Sequence, residues 1–267
     1  RWNRKPVRKQ PQTPTVTVII PAHNGESYIG AKLESVLALD YPKELIQLMV
    51  VSDASTDRTD EIAASYPGVE VVRLPRGGKC AALNGSVKHA KGEILLLTDV
   101  RQEVDPASLR HMTECFADPE VGVVSGELRI RAGQSAGSQD VGLYWRFETW
   151  IRNQLSEVDS MFGATGPFYC IRKSLFVPVP PEILLDDMYL PLSAYFKGFR
   201  CIVEERAVAW DVPTSVSTEF VRKVRTLAGN YQLLKYYPGL LAPFSNRMWI
   251  HYVSYKLGRL LLPWFLL

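Results

Sequence analysis

One short stretch, Ile94 to Thr98, constrains the fold of this chain more than any other. Its five residues carry no charge, four of them are large and apolar, and Asp99 follows directly. A short apolar run with such sharp ends is typical of a strand that is buried on both faces, as in a parallel sheet. Ligands of open α/β sheets bind outside the carboxyl ends of the strands, so Asp99 lies where chemistry is expected. The alternative is a strand-end Asp that caps the following turn.

Strands and helices alternate along most of the chain. Apolar and β-branched runs predict strands at 15–20, 45–52, 69–74, 94–98, 121–131, 167–172 and 200–210. Helical spacing, caps and prolines predict helices at 26–39, 57–66, 79–90, 105–117, 140–157, 187–197, 218–236 and 246–262. Strands that alternate with helices of about a dozen residues indicate βαβ units. The predicted fold class is therefore α/β with a mostly parallel central sheet.

Basic residues are concentrated at the start of the chain. The net charge of +3 does not by itself indicate nucleic acid, and we predict no nucleic-acid partner. Five positive charges nevertheless lie within the first nine residues, on Arg1, Arg4, Lys5, Arg8 and Lys9. Such an arm suits anionic phospholipid heads as well as nucleic acid, and a solvated tail is the plainer interpretation. We interpret residues 1–14 as a basic linker or juxtamembrane arm.

The last residues of the chain are strongly apolar. No run of about 18 apolar residues exists, so the sequence contains no complete transmembrane helix. The run from Leu260 to Leu267 nevertheless looks like the beginning of a span, and Trp249 and Tyr252 suit a membrane interface. We therefore expect 241–267 to be an interface helix that leads into a truncated transmembrane segment. This predicts an integral membrane protein with its domain on the cytoplasmic face; an ordinary packing helix is the alternative.

Polar turns follow the first two predicted strands. The first turn spans residues 21–26 and includes His23 and Asn24, and the second spans residues 52–57. Because parallel strands end at the same edge of a sheet, both turns are expected to share one crevice with Asp99. Acids there can accept hydrogen bonds from a ribose or from a base N–H. Each turn alone is weak support, since turns favour Asn, Asp and Gly in any protein.

The stretch 76–79, Arg-Gly-Gly-Lys, precedes a predicted helix. Glycine lets the backbone approach a ligand, the helix start offers free N–H groups, and Lys79 adds a full positive charge. This arrangement is typical of phosphate binding, although it lacks the pattern of a P-loop. No Gly-x-Gly-x-x-Gly follows the first strand, which argues against a dinucleotide-dependent dehydrogenase.

Three predicted helices contain the remaining candidate side chains. Asp186 and Asp187 begin one of them, either as an N-terminal cap or as a general base whose pKa burial and a neighbouring charge raise. Arg222 and Arg225 share a face of the next, which is either a solvated basic face or a clamp on a departing diphosphate. The third helix, 140–157, has an aromatic face that we interpret as core packing.

Six short motifs occur in the order seen in family 2 glycosyltransferases. They are Val-Ile-Ile-Pro-Ala-His-Asn (18–24), Ser-Asp-Ala-Ser-Thr-Asp (52–57), Gly-Lys-Cys-Ala-Ala-Leu-Asn (78–84), Thr-Asp-Val-Arg (98–101), Asp-Asp-Met-Tyr-Leu (186–190) and Arg-Lys-Val-Arg (222–225). The chain resembles this family, in particular its membrane-associated bacterial branch related to cellulose, chitin and hyaluronan synthases. The resemblance implies a Rossmann-like GT-A catalytic domain over 15–240 with interfacial helices after it. It also implies a nucleotide-sugar donor, commonly a UDP-sugar, a divalent metal (Mn²⁺ or Mg²⁺), a carbohydrate or lipid-linked acceptor, and inversion at the anomeric carbon.

The resemblance also implies roles for individual positions. The donor nucleotide would be bound by Ala22, His23, Asn24, Glu26, Asp53, Lys79 and Asp99. Asp99 matches the first acid of the family's Asp-x-Asp, which makes it the implied metal ligand. The loop that meets the donor sugar and the acceptor would comprise Gly163, Ala164, Thr165 and Gly166. The catalytic residues would be Asp187 as the base, with Asp186, Arg222 and Arg225; the two arginines match the Gln and the Arg of Gln-x-x-Arg-Trp.

Two positions depart from the family pattern. Arg101 occupies the place of the second metal-binding acid, and Thr226 replaces the Trp that supports a growing chain in processive synthases. These departures leave a catalytically degenerate nucleotide-sugar-binding or scaffold domain as an alternative. A sugar nucleotidyltransferase is a further alternative, but it would require a Gly-rich loop with Arg and Lys directly after the first strand. The prediction is an inverting hexosyl- or N-acetylhexosaminyltransferase of polysaccharide or glycolipid synthesis.

Overall fold

The computed structural model describes residues 4–130, 139–212 and 216–265. Its strands are β1 (Val16–Ala22), β2 (Ile46–Asp53), β3 (Val69–Leu74), β4 (Ile94–Thr98), β5 (Glu103–Val104), β6 (Val121–Ile130), β7 (Phe168–Arg172) and β8 (Arg200–Asp211). Its helices are α1 (Glu26–Leu37), α2 (Thr59–Ala64), α3 (Gly78–Val87), α4 (Ser108–Cys115), α5 (Gln139–Val158), α6 (Asp186–Phe196), α7 (Val216–Tyr236), α8 (Trp249–His251) and α9 (Gly258–Phe265). A π-helical turn, Tyr252–Leu257, joins α8 to α9, and 3₁₀ turns lie at Lys43–Leu45, Lys173–Leu175 and Pro238–Leu241.

One sheet forms the centre of the fold, with the strand order β3-β2-β1-β4-β7-β6-β8-β5. The first four strands in this order are parallel, and β6 is parallel to β8. Only β7 and β5 run in the opposite direction among the described strands. Every side chain of β4 is at most 2% exposed, as its composition predicts. The sheet is thus mostly parallel, and the predicted fold class is confirmed.

Both faces of the sheet are covered by helices. Val18 and Ile20 of β1 join a core that also contains side chains of α1 and α4, whereas Ile19 between them joins the core under α3 and α6. This alternation follows from the two-residue period of a strand. Complete burial of one such side chain stabilises the fold by roughly 1.5–3 kcal/mol. The two covered faces explain why the strand sequences are continuous apolar runs rather than alternating ones.

The short strand β5 was not predicted from the sequence. It has two residues, which is too short for a periodic pattern, and it exists because Glu103 and Val104 pair with Trp210 and Ala209 of β8. The predicted helix 105–117 begins later, at Ser108, after the turn that follows β5. The β5 pairing therefore ties the segment after Asp99 to the far edge of the sheet.

The basic arm lies along the body of the protein. Four of its charges are within ion-pair distance of an acid: Arg4 with Glu157 (3.1 Å), Lys5 with Glu120 (2.5 Å), Arg8 with Asp118 (3.4 Å) and Lys9 with Glu204 (2.6 Å). Arg1 lies outside the described residues. The acids that pair with Arg8 and Lys9 are almost fully buried. In this structure the arm's charges therefore face acids of the same chain.

The C-terminal segment packs on the body as two helices joined by the π turn. Met248 and Tyr252 are 3% and 2% exposed and belong to the core on the α6 face of the sheet. The carbonyl of Leu260 accepts a hydrogen bond from the hydroxyl of Tyr231 on α7 at 2.8 Å. Within the described ranges, no helix has both the length and the apolar character needed to cross a bilayer. This finding contradicts the prediction of an integral membrane protein on the cytoplasmic face.

Candidate active site

The carboxyl ends of β1, β2 and β4 open into one cavity of about 750 Å³. Because β7 runs in the opposite direction, its start lies beside the end of β4, which brings the preceding loop to the same edge. The cavity is lined by these predicted site residues: Ala22, His23, Asp53, Lys79, Asp99, Thr165, Gly166, Asp186, Asp187, Arg222 and Arg225. The topology thus unites candidates from seven separate segments of the chain.

Four predicted site residues are not among those that line this cavity. The side-chain oxygen of Asn24 accepts a hydrogen bond from the Thr56 N–H at 2.9 Å, and the Glu26 carboxylate accepts one from the Arg58 N–H at 3.0 Å. Both side chains therefore join the turn after β1 to the turn before α2. Gly163 and Ala164 pack against the start of α6, where the Ala164 N–H donates to the carbonyl of Asp187 at 2.8 Å.

The carboxylate of Asp53 binds the turn that precedes α3. Its oxygens accept hydrogen bonds from the Gly77 N–H at 2.6 Å and from the Gly78 N–H at 3.0 and 3.1 Å, and Arg76 pairs with it at 2.5 Å. Gly78 has a φ of 78°, a left-handed conformation that favours glycine. The N–H groups that the sequence analysis assigned to phosphate binding are thus occupied by Asp53.

Lys79 is the cation at the centre of the cavity. Its Nζ lies 2.9 Å from Asp99 Oδ1 and 3.3 Å from Asp186 Oδ2, and it donates to the Gly166 carbonyl at 3.4 Å. Burial alone would lower the pKa of Lys79, but the charges of Asp186, Asp99 and Asp187 raise it above its usual value. Three carboxylates thus surround one positive charge, and the cavity can accept further cationic charge.

Asp187 is a carboxylate of the cavity whose pKa is raised. Burial, followed by the negative charge of Asp186, raises the pKa of Asp187 to about 6, although Lys79 acts in the opposite direction. Gly166 lies against this carboxylate, because a Cβ added at that position would be 2.5 Å from Asp187 Oδ2. A base with a pKa slightly below neutral is deprotonated at neutral pH and still has appreciable proton affinity. Asp187 therefore has the properties of a general base.

Arg101, which stands where the family has its second metal-binding acid, pairs with an acid of this chain and is not itself a metal ligand. Its guanidinium forms two hydrogen bonds with the carboxylate of Asp211, at 2.8 and 2.6 Å, and Asp211 is 5% exposed. No group of three acid, His or Cys side chains that could hold a metal forms within 4–130, 139–212 and 216–265. Asp99 is therefore the single predicted metal ligand that this cavity retains. No sequence pattern pointed to Asp211, which lies at the end of β8.

Lys32 of α1, which the sequence analysis did not single out, lies beneath the loop that contains Asp99. It is 1% exposed, and its Nζ donates to Thr98 Oγ1 at 2.6 Å and to the Gln102 carbonyl at 2.7 Å. Burial lowers the pKa of Lys32 to about 7, although Asp99 and Glu103 act in the opposite direction. One sequence signal could have identified Lys32: it lies on the same face of the predicted helix as the apolar residues Ile29 and Leu33.

We expect the wild-type protein to gain stability relative to Lys32→Met as the pH is raised above 7. The folded pKa of about 7 lies below the ordinary lysine value, so in this window the unfolded chain binds more protons than the folded one. Stability from this group therefore rises with pH, by at most about 1.4 kcal/mol per pH unit. Urea unfolding of both proteins at about pH 7 and pH 9.5 measures the effect. A difference that does not change with pH would contradict this account.

The aromatic face of α5 is partly exposed, so its interpretation as core packing is wrong for two residues. Phe147 and Trp150 are 56% and 57% exposed, and they stack on one another with ring centroids 6.1 Å apart. They line an apolar groove of about 960 Å³ between α5 and the C-terminal helices. Arg152 of the same helix points to the other side and lines the cavity with Asp187. The aromatic pattern gave no indication of this arginine.

The sequence of the chain matches a known family over more than half of its length. The family described as Glycosyl transferase family 2 matches residues 17–177. Among curated proteins, the poly-beta-1,6-N-acetyl-D-glucosamine synthase of Staphylococcus aureus (strain COL) is 25% identical over 279 aligned residues. The alignment covers 96% of this chain and 67% of that synthase, so the chain spans about two thirds of its relative.

Solved structures share the fold. The mannosyltransferase PcManGT of Pyrobaculum calidifontis, in complex with GDP-Man and Mn²⁺, has a TM-score of 0.73 and 26% identity over 88% of this chain and 69% of its own. TarS 1–349 of S. aureus, in complex with UDP-GlcNAc, has a TM-score of 0.60 and 20% identity over 75% of this chain and 59% of its own. At that identity, TarS supports the fold alone.

Proposed function

The chain belongs to glycosyl transferase family 2, and from this membership we propose that it transfers a sugar from a UDP-sugar to an acceptor hydroxyl with inversion at the anomeric carbon. The family match and the related synthase confirm the predicted family and the predicted enzyme class, a glycosyltransferase. The observation that supports the proposed chemistry best is the raised pKa of Asp187 in a cavity that also contains Lys79, Asp99 and Asp186.

Asp187 would act as the general base of a single displacement. It takes the proton from the acceptor hydroxyl, and the oxygen attacks the anomeric carbon on the side opposite the diphosphate. The new C–O bond forms as the bond between the anomeric carbon and the diphosphate oxygen breaks, and the nucleoside diphosphate leaves with both electrons. Because Gly166 has no Cβ, the Asp187 carboxylate can lie against it, and burial together with the charge of Asp186 raises the pKa of that carboxylate.

Cationic side chains would stabilise the leaving group. Arg222 and Arg225 line the cavity from α7, and Lys79 lies between Asp99 and Asp186. Positive groups that are fixed in place before the reaction stabilise charge as it develops on the diphosphate. The nucleoside would lie over Ala22 and His23, whose Nδ1 is 2.9 Å from the carbonyl oxygen of Asp53.

Asp99 is the residue that would hold a divalent metal, Mn²⁺ or Mg²⁺. One carboxylate completed by the phosphate oxygens of a substrate is a ligand set that Mg²⁺ accepts, so the residues present fit the ion. When bound, the ion would neutralise charge on the donor's diphosphate. The Mn²⁺ in the complex of the mannosyltransferase supports this proposal.

The acceptor class follows from the relatives rather than from the cavity. The related S. aureus protein is a polysaccharide synthase, which supports a carbohydrate or lipid-linked acceptor and transfer of a hexosyl or N-acetylhexosaminyl unit. Contact between the flanking segments and a membrane stays a prediction. The family match argues against a sugar nucleotidyltransferase, and the presence of both Asp99 and Asp187 argues against a degenerate scaffold.

We expect UDP to bind more tightly than GDP or TDP, and to bind more tightly with Mn²⁺ than without it. Asp99→Ala should lose the metal-dependent part of UDP binding, because Asp99 is the proposed metal ligand. Titration calorimetry of the three nucleotides with and without Mn²⁺ measures this without an acceptor. Asp40→Ala, which removes a 64% exposed carboxylate side chain in the turn after α1, is the control. Tighter GDP binding would change the donor class, and no binding of any nucleotide would contradict the proposal.

We expect Gly166→Ala to lower turnover by about 10–100-fold while UDP affinity is retained. The added methyl group would lie 2.5 Å from Asp187 Oδ2, so the carboxylate must move. Gly30→Ala is the matched control, since its Cβ would meet only the Tyr66 hydroxyl at an ordinary 3.5 Å. Turnover by UDP release and affinity by calorimetry separate the two effects. Equal turnover in both variants would mean that the position of Asp187 does not limit the reaction.

A further inference from the structure

One arginine lines the candidate active site without a part in the chemistry described above. Arg152 of α5 is among the residues around the cavity that contains Asp187. We infer that Arg152 is a positioning residue: it fixes the loop 163–167 against Asp187 and thereby keeps that carboxylate where the reaction needs it. This role rests on the proposed function, because it takes Asp187 as the general base.

The loop 163–167 contacts Asp187 at two points. The Ala164 N–H donates to the Asp187 carbonyl at 2.8 Å. Gly166 lies against the carboxylate, where an added Cβ would be only 2.5 Å from Asp187 Oδ2. The loop therefore restrains both the main chain and the side chain of Asp187.

The same loop also contacts the side of the cavity where the diphosphate is proposed to bind. The Pro167 carbonyl accepts a hydrogen bond from the Asp99 N–H at 3.1 Å, and the Gly166 carbonyl accepts one from Lys79 Nζ at 3.4 Å. One short loop thus contacts the proposed base, the proposed metal ligand and the central cation. A shift of this loop would change how Asp187 lies relative to the donor, and turnover is sensitive to misplacement of about 1 Å.

Thr165 attaches this loop to the sheet. Its N–H donates to Ser125 Oγ at 2.8 Å, and its hydroxyl donates to the Gly126 carbonyl at 2.8 Å. Ser125 and Gly126 belong to β6, and Ser125 is fully buried. The loop that contacts Asp187 is therefore held by a buried strand at this one residue.

Arg152 completes the attachment from α5. Its Nη2 donates to Thr165 Oγ1 at 2.7 Å and to Ser125 Oγ at 2.9 Å. Because each hydroxyl accepts from Arg152, its own proton can be donated to the Gly126 carbonyl, which lies 2.8 Å from Thr165 Oγ1 and 3.1 Å from Ser125 Oγ. Hydrogen bonds from a charged donor are stronger than those between neutral groups. Arg152 thus joins helix, strand and loop through one nitrogen.

The charge of Arg152 does not neutralise an acid of the cavity. Among residues 4–130, 139–212 and 216–265, no carboxylate lies within ion-pair distance of Arg152, although Asp186 and Asp187 line the same cavity. A partly buried guanidinium with only neutral partners loses hydration that no opposite charge replaces. A neutral side chain could fill this space at a lower cost. The strong hydrogen bond to Thr165, and through it the fixed position of the loop, accounts for an arginine here.

Two substitutions remove the attachment from its two ends. Arg152→Gln and Thr165→Val should each lower turnover by about 10–100-fold, with UDP affinity within about threefold of the wild type. Arg152→Lys keeps a charged donor and Thr165→Ser keeps the hydroxyl, so each should recover most of the lost turnover. The double variant Arg152→Gln/Thr165→Val should be at most about threefold slower than the slower single variant, because both changes break the same attachment. UDP release measures turnover, and calorimetry measures affinity.

Arg172→Gln is the matched control. Arg172 is also partly buried, and it also donates to neutral groups, the carbonyls of Phe116 and Val121, both at 2.8 Å. It lies at the end of β7 that is remote from the loop, where it pairs with the first residue of β4. Its substitution should lower the free energy of unfolding, as that of Arg152 does, and should leave turnover within about threefold of the wild type.

Hydrogen exchange of the loop gives a readout that needs no substrate. The N–H groups of Ala164, Thr165 and Phe168 are all hydrogen-bonded in the wild type. In Arg152→Gln, the peptide that covers 163–168 should exchange at least about tenfold faster, whereas Arg172→Gln should leave its exchange unchanged. If Arg152→Gln does not fold, Thr165→Val compared with Thr165→Ser tests the same attachment with the arginine in place.

Several results would overturn this role of Arg152. Additive losses in the double variant would mean that Arg152 does not act through Thr165, and unchanged exchange would mean that it does not fix the loop. An equal loss of turnover in Arg172→Gln would make the effect one of general stability, and a loss of UDP affinity in Arg152→Gln would assign the arginine to the donor. No turnover by the wild type with any UDP-sugar would instead contradict the proposed function, while exchange still decides whether Arg152 fixes the loop.

Discussion

Replacing Asp187 with Asn should lower turnover by about 10²–10⁴-fold while UDP affinity stays nearly unchanged. Asn is nearly the same size as Asp, so it keeps the packing against Gly166, but it cannot accept a proton. The nucleotide is proposed to bind on the Lys79 side of the cavity, and the variant keeps that side intact. The measurement is the rate of UDP release from the UDP-sugar that the wild type uses fastest, together with calorimetric UDP affinity.

The pH profile gives this experiment a second readout. Burial and Asp186 raise the pKa of Asp187 to about 6, so wild-type turnover should fall as the pH decreases through that value, where the base becomes protonated. The residual activity of Asp187→Asn should lack this acid limb. Asp40→Asn, on an exposed carboxylate, should keep both the rate and the profile. Unchanged turnover in Asp187→Asn would assign the base to another residue.

Replacing Lys79 with Met should destabilise the fold by about 3 kcal/mol near pH 8. The change removes the cation in contact with Asp99 and Asp186, and it leaves three neighbouring carboxylates with less compensating positive charge. Burial and the charge of Asp186 raise the pKa of Asp187 to about 6, so this carboxylate takes up a proton as the pH falls and the deficit relative to wild type should shrink below about pH 6. Urea unfolding at about pH 8 and pH 5 measures both values.

Two further variants show whether the effect arises from charge. Lys91→Met removes a 77% exposed side chain that pairs with Glu70, and it should change stability by less than about 1 kcal/mol. Adding Asp99→Asn to Lys79→Met should recover part of the lost stability, because one repelling carboxylate is gone. A deficit in Lys79→Met that is the same at both pH values would assign the loss to packing rather than to electrostatics.

Much of the fold could be predicted because its signals are local. The uncharged run of β4 predicted a strand buried on both faces, and the alternation of strands and helices predicted a mostly parallel sheet. The order of the motifs predicted the family, which residues 17–177 match. The short strand β5 gave no signal of its own, because its two residues are ordered by pairing with β8.

The candidate site was predictable in outline and less so in detail. From the strand ends we expected the turns that contain His23 and Asp53 to share a crevice with Asp99, and all three residues line one cavity. Asn24 and Glu26 looked equivalent to them in sequence, yet they bond to a neighbouring turn. The prediction of an integral membrane protein was wrong, since no described helix could cross a bilayer, and the rings of Phe147 and Trp150 were interpreted as core but are exposed. Composition alone does not specify which surface a side chain meets.

The sequence by itself determined most of the elements, their order, the family and the edge of the sheet where the candidate site lies. These properties depend on backbone propensity and on side-chain periodicity, which act over a few residues. Only the tertiary structure decided which polar and charged groups meet: Arg101 with Asp211, which is 110 residues away, Lys79 with Asp186, and Arg152 with Thr165. The reason is physical, since burial and charge proximity set pKa values and binding, and both depend on distances in space rather than along the chain.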